Sequence, residues 1–543
     1  VTKGEKMTAD NKQVEIIVKF NGDIFAVSKE LGALAEIIDC SYAILTIDEL
    51  KINELYNFRQ IEYFEPAKPI MPVSILRNEM SNAGITPVKD SGYRLSGKGV
   101  ITGIIDSGID FTHANFLNSD GSSRILYIWD QSLAENAPEG FIYGTEYNSE
   151  AINNALKSPQ PFVILPSRDF IGHGTAVAGI AAGNNGIASS SSIISVKLGS
   201  NSEARTTDIL RAVRYIINKA VELNMPVSIN ISYGMNDGSH TGNSLFEKCL
   251  DILSQKWKTS VSVAMGNEGS AGHHFSSVLE SGKTIDAELV CQAVEGSIFI
   301  DIWKSFNDDI ELELIPPNGI SSGMLYSKDI VKTINFGEMT VIMNFRPINH
   351  YNLKQEIMFL FESGSEVFIS GIWRLNIRCI SAVDGRIDIW LPMTAEVGVN
   401  TAFLNPDEIF TLTLPSTVEN VISVGGYNSV IGSLAYFTGK GIRFLDKPDI
   451  VAPAVDIYTS KSGGGYDSFS GTSMAAPFVA GCAALMMEWG IVKGRKPFLY
   501  GQMLKAYLQK GARRNKNIRY PDDGWGYGSL DLKRTIDLLE LSI

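Results

Sequence analysis

Strand-like and helical apolar patterns alternate along most of this chain, and one long interval breaks the alternation. Val14 to Phe20 reads as a strand and Asn21-Gly22-Asp23 as a turn. Helical periodicity follows over 26–38 and a strand over 42–47. A second helix is predicted over 48–56, with Asp48 as N-cap, and a further strand over 61–64. This β-α-β-α-β order predicts a small sheet with two helices on one face. Pro69 and Pro72 then favour an extended backbone from Ala67 to Val73.

Val100 to Asp106 is a continuous apolar run ending in an acid, the signature of a buried parallel strand. A loop-rich stretch, 111–170, contains one predicted helix at 149–157. Alternation then continues, with strands at 193–197, 227–232 and 260–265 and helices at 206–223 and 242–256. This predicts a doubly wound parallel sheet. From 276 to 400 about seven short strand-like runs follow one another, many alternating as Ile298 to Trp303 does. Helical patterning is almost absent there, which predicts an antiparallel sandwich. After 405 the α/β texture returns, with strands at 420–424 and 449–453 and helices at 478–489 and 501–509. Four segments follow: 1–74, 75–275, 276–400 and 401–543.

A length of 543 residues agrees with several domains, and 44% hydrophobic with 20% charged residues describes ordinary globular matter. The net charge of −13 leaves no basic face for nucleic acid or an anionic membrane. Five cysteines, Cys40, Cys249, Cys291, Cys379 and Cys482, are scattered without a paired spacing. They read as small buried hydrophobes, not as a disulfide framework or zinc site. No run of about 18 apolar residues predicts a membrane span. Val1 to Gln13 lacks the apolar core of a signal peptide, but Val1 is not an initiator methionine, so export stays open.

Four polar residues stand at the ends of predicted elements. Asp106 closes a strand, and His173 lies between Gly172 and Gly174 at the start of a small-residue helix. Asn267 follows Gly266 at another strand end. Ser473 sits in Gly471-Thr472-Ser473-Met474-Ala475-Ala476-Pro477, before an apolar helix. Singly, each has a plainer reading: a capping acid, a satisfied core imidazole, a tight turn. Together they supply what acyl transfer needs: a hydroxyl nucleophile, a base, a carboxylate to orient that base, and oxyanion donors. The chain order Asp, His, Ser is that of the subtilisin class.

The chain resembles the subtilisin-like serine proteases, or subtilases. Ile104 to Asp110 resembles their aspartate motif and Gly172 to Thr175 their histidine motif. Ala264 to Asn267 resembles the oxyanion motif and Gly471 to Pro477 the serine motif. The resemblance covers 75–271 and 401–543. It implies catalytic roles for Asp106, His173 and Ser473, and an oxyanion role for Asn267. It also implies substrate-binding segments at Ser232, Tyr233 and Gly234 and at Ala264, Met265 and Gly266. Residues 1–74 then become a prodomain, an intramolecular chaperone and inhibitor whose tail lies in the cleft. Autocleavage of this zymogen is expected within 70–78. The partners expected are a protein or peptide substrate and the chain's own prodomain, in cis or after cleavage; no nucleic acid and no membrane span are expected.

Departures from the family pattern are informative. The intervals from Asp106 to His173 and from Asn267 to Ser473 are long, implying an inserted loop region and an inserted domain. The longer calcium loop of many subtilases is missing after Gly179, and Asn115 stands where a calcium-ligating Asp is common. No cofactor is therefore expected, and a prodomain that stays bound would add stability by mass action. The expected fold is α/β: a doubly wound parallel-sheet subtilisin fold with an N-terminal α+β prodomain and an inserted all-β, jelly-roll-like domain. That architecture resembles the clostridial Csp germination proteases, which activate a spore cortex-lytic zymogen by limited proteolysis. The resemblance implies a spore-associated or extracellular location. Two rival readings are a pseudoprotease of the same fold and a general degradative subtilase with a carbohydrate-binding insert.

Overall fold

The buried apolar runs assemble into a nine-stranded, mainly parallel sheet. It is seen in a computed structural model that describes residues 12–73, 93–199, 203–292, 298–337, 339–363 and 369–542. Its centre runs Ile422–Asn428, Thr259–Ala264, Val227–Ile231, Ile101–Asp106, Ser192–Lys197, Ile125–Asp130. Neighbours along this path are parallel, so their carboxyl ends open on one edge of the sheet. All six residues of Ile101–Asp106 are buried, because helices cover both faces. On one face lie the helices His173–Ala182 and Thr472–Met487; on the other lie Thr206–Glu222 and Leu245–Ser254. Gly103 permits the close approach on this second face, since a Cβ there would meet Ile216 at 2.9 Å.

The N-terminal segment departs from its predicted order. The helix expected over 26–38 is Ile24–Leu31, capped by Asp23, whose carboxylate accepts from Phe25 N–H at 2.9 Å. Gly32, at φ 66°, terminates it in the left-handed conformation. The remainder, Leu34–Asp39, pairs as a strand with Tyr42–Asp48. The helix expected over 48–56 is a 3₁₀ helix, Glu49–Asn57. The result is a four-stranded antiparallel sheet in the order Leu34–Asp39, Tyr42–Asp48, Gln13–Phe20, Ile61–Pro66. One side of it has its own apolar core. From the other side Ile17, Ile38, Tyr42 and Ile44 join the core around Thr206–Glu222 and Leu245–Ser254.

Between Asn267 and Ser473 the chain builds an antiparallel sandwich of a six-stranded and a four-stranded sheet. The strands His274–Val278, Val331–Phe336 and Ala402–Phe403 were not anticipated. Each lies at the edge of its sheet, where one side is solvent and the apolar signal is weak. Phe359, Phe361 and Trp373 face inward and fill the core between the two sheets.

The serine helix begins at Thr472, not after Pro477, so Ser473 lies in its first turn. With its π-helical extension it runs to Val492 and is long and apolar enough to cross a membrane, contrary to expectation. Its most apolar window is 89% buried against the sheet, as a core helix is.

Arg211 organises the contact between the N-terminal sheet and the helix Thr206–Glu222. Its buried guanidinium meets Glu15 at 2.8 Å and Glu36 at 2.9 Å. Replacing Arg211 with Met strands these carboxylates. The variant is expected to lose about 3–5 kcal/mol, seen as a lower denaturation midpoint and a loosened N-terminal segment in hydrogen exchange.

Candidate active site

Asp106 and His173 form a fully buried pair. Asp106 ends the central strand, and its Oδ1 lies 2.6 Å from His173 Nδ1. His173 opens its helix after Gly172 at φ 81°. Gly174 is demanded by the close approach, because a Cβ would come within 2.1 Å of the Gly108 carbonyl. Asp169, which sequence reasoning missed, holds this corner. It accepts from Gly172 N–H (2.8 Å), Thr175 N–H (2.8 Å), Thr175 Oγ1 (2.6 Å) and Ser107 Oγ (2.8 Å). Burial disfavours a charged His173, but Asp106, Asp169 and the Val73 carbonyl outweigh it and raise its pKa above the ordinary 6.5.

Ser473 is aimed by its helix. Pro477 has no N–H for the Ser473 carbonyl four residues back. That carbonyl instead accepts from Ser232 Oγ at 3.3 Å, tying the helix start to the end of Val227–Ile231. Asn267 Oδ1 accepts from Thr472 N–H at 2.9 Å and Thr472 Oγ1 at 3.0 Å. This anchors the amide beside Ser473 by its oxygen and leaves the NH₂ as its donor end.

The tail of the N-terminal segment lies in the cleft. Met71 and Pro72 pair antiparallel with Gly234 and Tyr233, and Val73 N–H bonds the Ser232 carbonyl at 3.1 Å. On the other edge Ile70 N–H bonds Ala204 O and Thr206 N–H bonds Lys68 O, both at 2.9 Å. Ser473 Oγ donates to the Val73 carbonyl at 2.8 Å. Of the expected binding residues, Ser232, Tyr233 and Gly234 thus touch an extended peptide. Ala264, Met265 and Gly266 form the neighbouring strand end. Thr413, also missed, stands between these two segments. A Cβ on Gly234 would meet Thr413 Oγ1 at 2.6 Å, and one on Gly266 would meet Thr413 Cγ2 at 2.5 Å. Thr413 lies just past the insert, where the sequence offers no motif to flag it. The expected cleavage interval is described only to Val73; 74–78 lie outside the described residues.

A serine, a carboxylate-bound imidazole and an amide at the carboxyl edge of a doubly wound sheet define a subtilisin-type hydrolase fold. The chain belongs to the subtilase family, a family of serine proteases, whose model matches residues 97–294 and 404–528. A second model, the Csp protease B prodomain, matches residues 2–68. The solved structure of the Clostridium perfringens CspB protease is 38% identical, with a TM-score of 0.78, covering 84% of this chain and 96% of that one. Fervidolysin from Fervidobacterium pennivorans shares the fold at 13% identity, with a TM-score of 0.52 over 98% of this chain and 62% of its own. The PII-type proteinase of Lactococcus lactis subsp. cremoris is 22% identical over 92% of this chain, which spans 29% of that protein's length.

At the place of the calcium loop expected from the resemblance, the residues present do not fit the ion. Asn115 Oδ1 accepts from Asn185 N–H at 3.0 Å, and its Nδ2 donates to Ser460 Oγ at 2.7 Å. The loop after the histidine helix already faces a cation. Arg124 donates to the carbonyls of Ser189 (2.8 Å), Ser191 (3.2 Å), Asn115 (3.4 Å) and Ala182. Burial lowers its pKa to about 10, so it stays charged at neutral pH. A chelator is therefore expected to leave the melting temperature unchanged. Arg124→Ala should destabilise by about 2–3 kcal/mol. Melting curves with and without chelator check both, and a large fall with chelator alone would refute the assignment.

Proposed function

We propose that this chain is a serine endopeptidase that processes itself after Val73 and then cleaves a protein substrate at a limited number of sites. The observation that carries this reading is the Ser473 hydroxyl on the Val73 carbonyl, 2.8 Å away, with the same carbonyl bearing on His173 of the Asp106–His173 pair. In this reading Ser473 Oγ turns from the carbonyl oxygen to attack its carbon. Its proton passes to His173 Nε2, and Asp106 holds the tautomer and favours the imidazolium. The Asn267 NH₂ and the Ser473 N–H stabilise the oxyanion. The pocket closed by Thr413 suits a short side chain such as Val73 before the scissile bond. No cofactor takes part.

The substrate class follows the Csp resemblance: a cortex-lytic zymogen in or at the spore, activated by limited proteolysis. Support comes from the matched prodomain and from 38% identity across nearly the whole length of the CspB protease. A pseudoprotease reading has no feature of the site in its favour.

Wild type should yield a mature N-terminus at Ser74, read by N-terminal sequencing, whereas Ser473→Ala should remain a single chain; clean processing of that variant alone would indicate an outside protease. Attack needs neutral His173, so fluorophosphonate labelling should fall as pH drops, with a midpoint above the ordinary 6.5. Thr413→Gly should widen the pocket, raising kcat/KM for peptides with Leu or Met before the scissile bond by about tenfold relative to Val.

A further inference from the structure

The cleft does not end at the residues that hold Val73. Five residues upstream, Lys68 enters a pocket built from two parts of the chain. Its ammonium lies 2.6 Å from Asp237 Oδ1 and 3.3 Å from the Asp237 carbonyl, in the loop that follows Tyr233–Gly234. Beyond Asp237 stand Asp301 and Glu356, on two strands of the inserted sandwich. Carboxylate oxygens of the three acids lie within 4.8 Å of one another.

The acids are not merely a solvated patch. Asp301 is completely buried. Its Oδ2 accepts from Gly238 N–H at 3.0 Å and Trp303 Nε1 at 2.9 Å, while Oδ1 has no hydrogen-bond partner. Burial, with Glu356 and Asp237 nearby, pushes the Asp301 pKa well up, and Lys68 opposes that shift. Arg346 lies 2.8 Å from Glu356 and answers one charge. Lys354, which lines the same pocket, is engaged by Asp388 at 3.5 Å, so Lys68 is the cation seated on Asp237 itself.

Backbone geometry fixes where that cation must come from. Lys68 N–H donates to Thr206 Oγ1 at 3.2 Å, and its carbonyl accepts from Thr206 N–H at 2.9 Å. With Val73 at Ser473, Lys68 is the sixth residue counted back from the scissile bond. A substrate strand that replaces the tail in the same register brings its own sixth residue to the acids.

We propose that Asp237, Asp301 and Glu356 form a subsite, shared by the protease body and its insert, that selects protein substrates with Lys or Arg six residues before the scissile bond. The proposal rests on the endopeptidase reading above. It gives the insert a part in recognition, because two of the three acids belong to it.

The test uses the processed protein and internally quenched peptides spanning the sequence of residues 66–76, with Lys, Arg, Gln or Glu in place of Lys68. Lys and Arg peptides should exceed the Gln peptide in kcat/KM by about 30-fold. The double variant Asp237→Asn, Glu356→Gln should bring that ratio near one. Equal rates for all four peptides, or a Lys preference that survives in the variant, overturns the proposal. A second measurement needs no catalysis. In the unprocessed Ser473→Ala chain, Lys68→Gln should lower the melting temperature, and lower it less when Glu356→Gln and Asp237→Asn are present. Strict additivity overturns the proposal. Failure of the endopeptidase reading shows separately, as absent fluorophosphonate labelling of processed wild type.

Discussion

A strand has two hydrogen-bonding edges, and the segment from Lys68 to Val73 has partners on both. Residues 204–206 take one edge and 232–234 the other. Register in such a sandwich is strict, because a slip of one residue turns every side chain to the opposite face. Much else depends on that register. It buries Ile70 in the core shared with the helix Thr206–Glu222, sets Val73 on Ser473, and sends Lys68 to the acids. Pro69 and Pro72 each cost the strand a donor, yet they hold the extended conformation without further ordering.

The same strand explains why buried charge gathers where the N-terminal segment meets the protease body. Glu15 and Glu36 converge on Arg211, and Glu65 accepts from Leu245 N–H at 2.7 Å. Burial raises the Glu65 pKa to about 7. Ion pairs of this kind add little net stability over apolar packing, but a mismatched partner leaves an uncompensated charge. They therefore favour this docking over others, and the apolar contacts of Ile17, Ile38, Tyr42 and Ile44 supply the affinity.

The sandwich is joined to the body by a stack of rings. Trp390 stacks with both His240 and His274, with centroids at 4.2 and 4.8 Å, and Phe410 closes the cluster edge-on. Two insertion points thus share one apolar joint. That joint brings strands bearing Asp301 and Glu356 to the mouth of the cleft. Thr413 follows in the same returning segment, so the insert's exit also packs between Gly234 and Gly266.

Local chemistry was readable wherever a short motif must take one shape. Gly172-His173-Gly174 needs glycines for a left-handed cap and a close backbone approach. The apolar run before Asp106 needs burial on both faces, and the alternating runs after 276 need one inner face. These patterns determined the sheet, the sandwich and the four polar residues that converge on the cleft. Helix limits were less legible: Gly32 cut one helix short, and Pro477, which looked like a boundary, lies inside another because Ser232 satisfies the carbonyl it frees. Asp169, Arg124, Thr413 and the acids around Lys68 left no local trace. Thr413 and the acids around Lys68 act through partners tens to hundreds of residues away, Arg124 reaches Ala182, Ser189 and Ser191, and Asp169 ties its own turn to the distant Ser107; pattern along a chain carries no information about such distances. Only tertiary packing decided that Lys68 meets Asp237, Asp301 and Glu356, because only packing brings an extended tail, a strand-end loop and an inserted sheet to the same point.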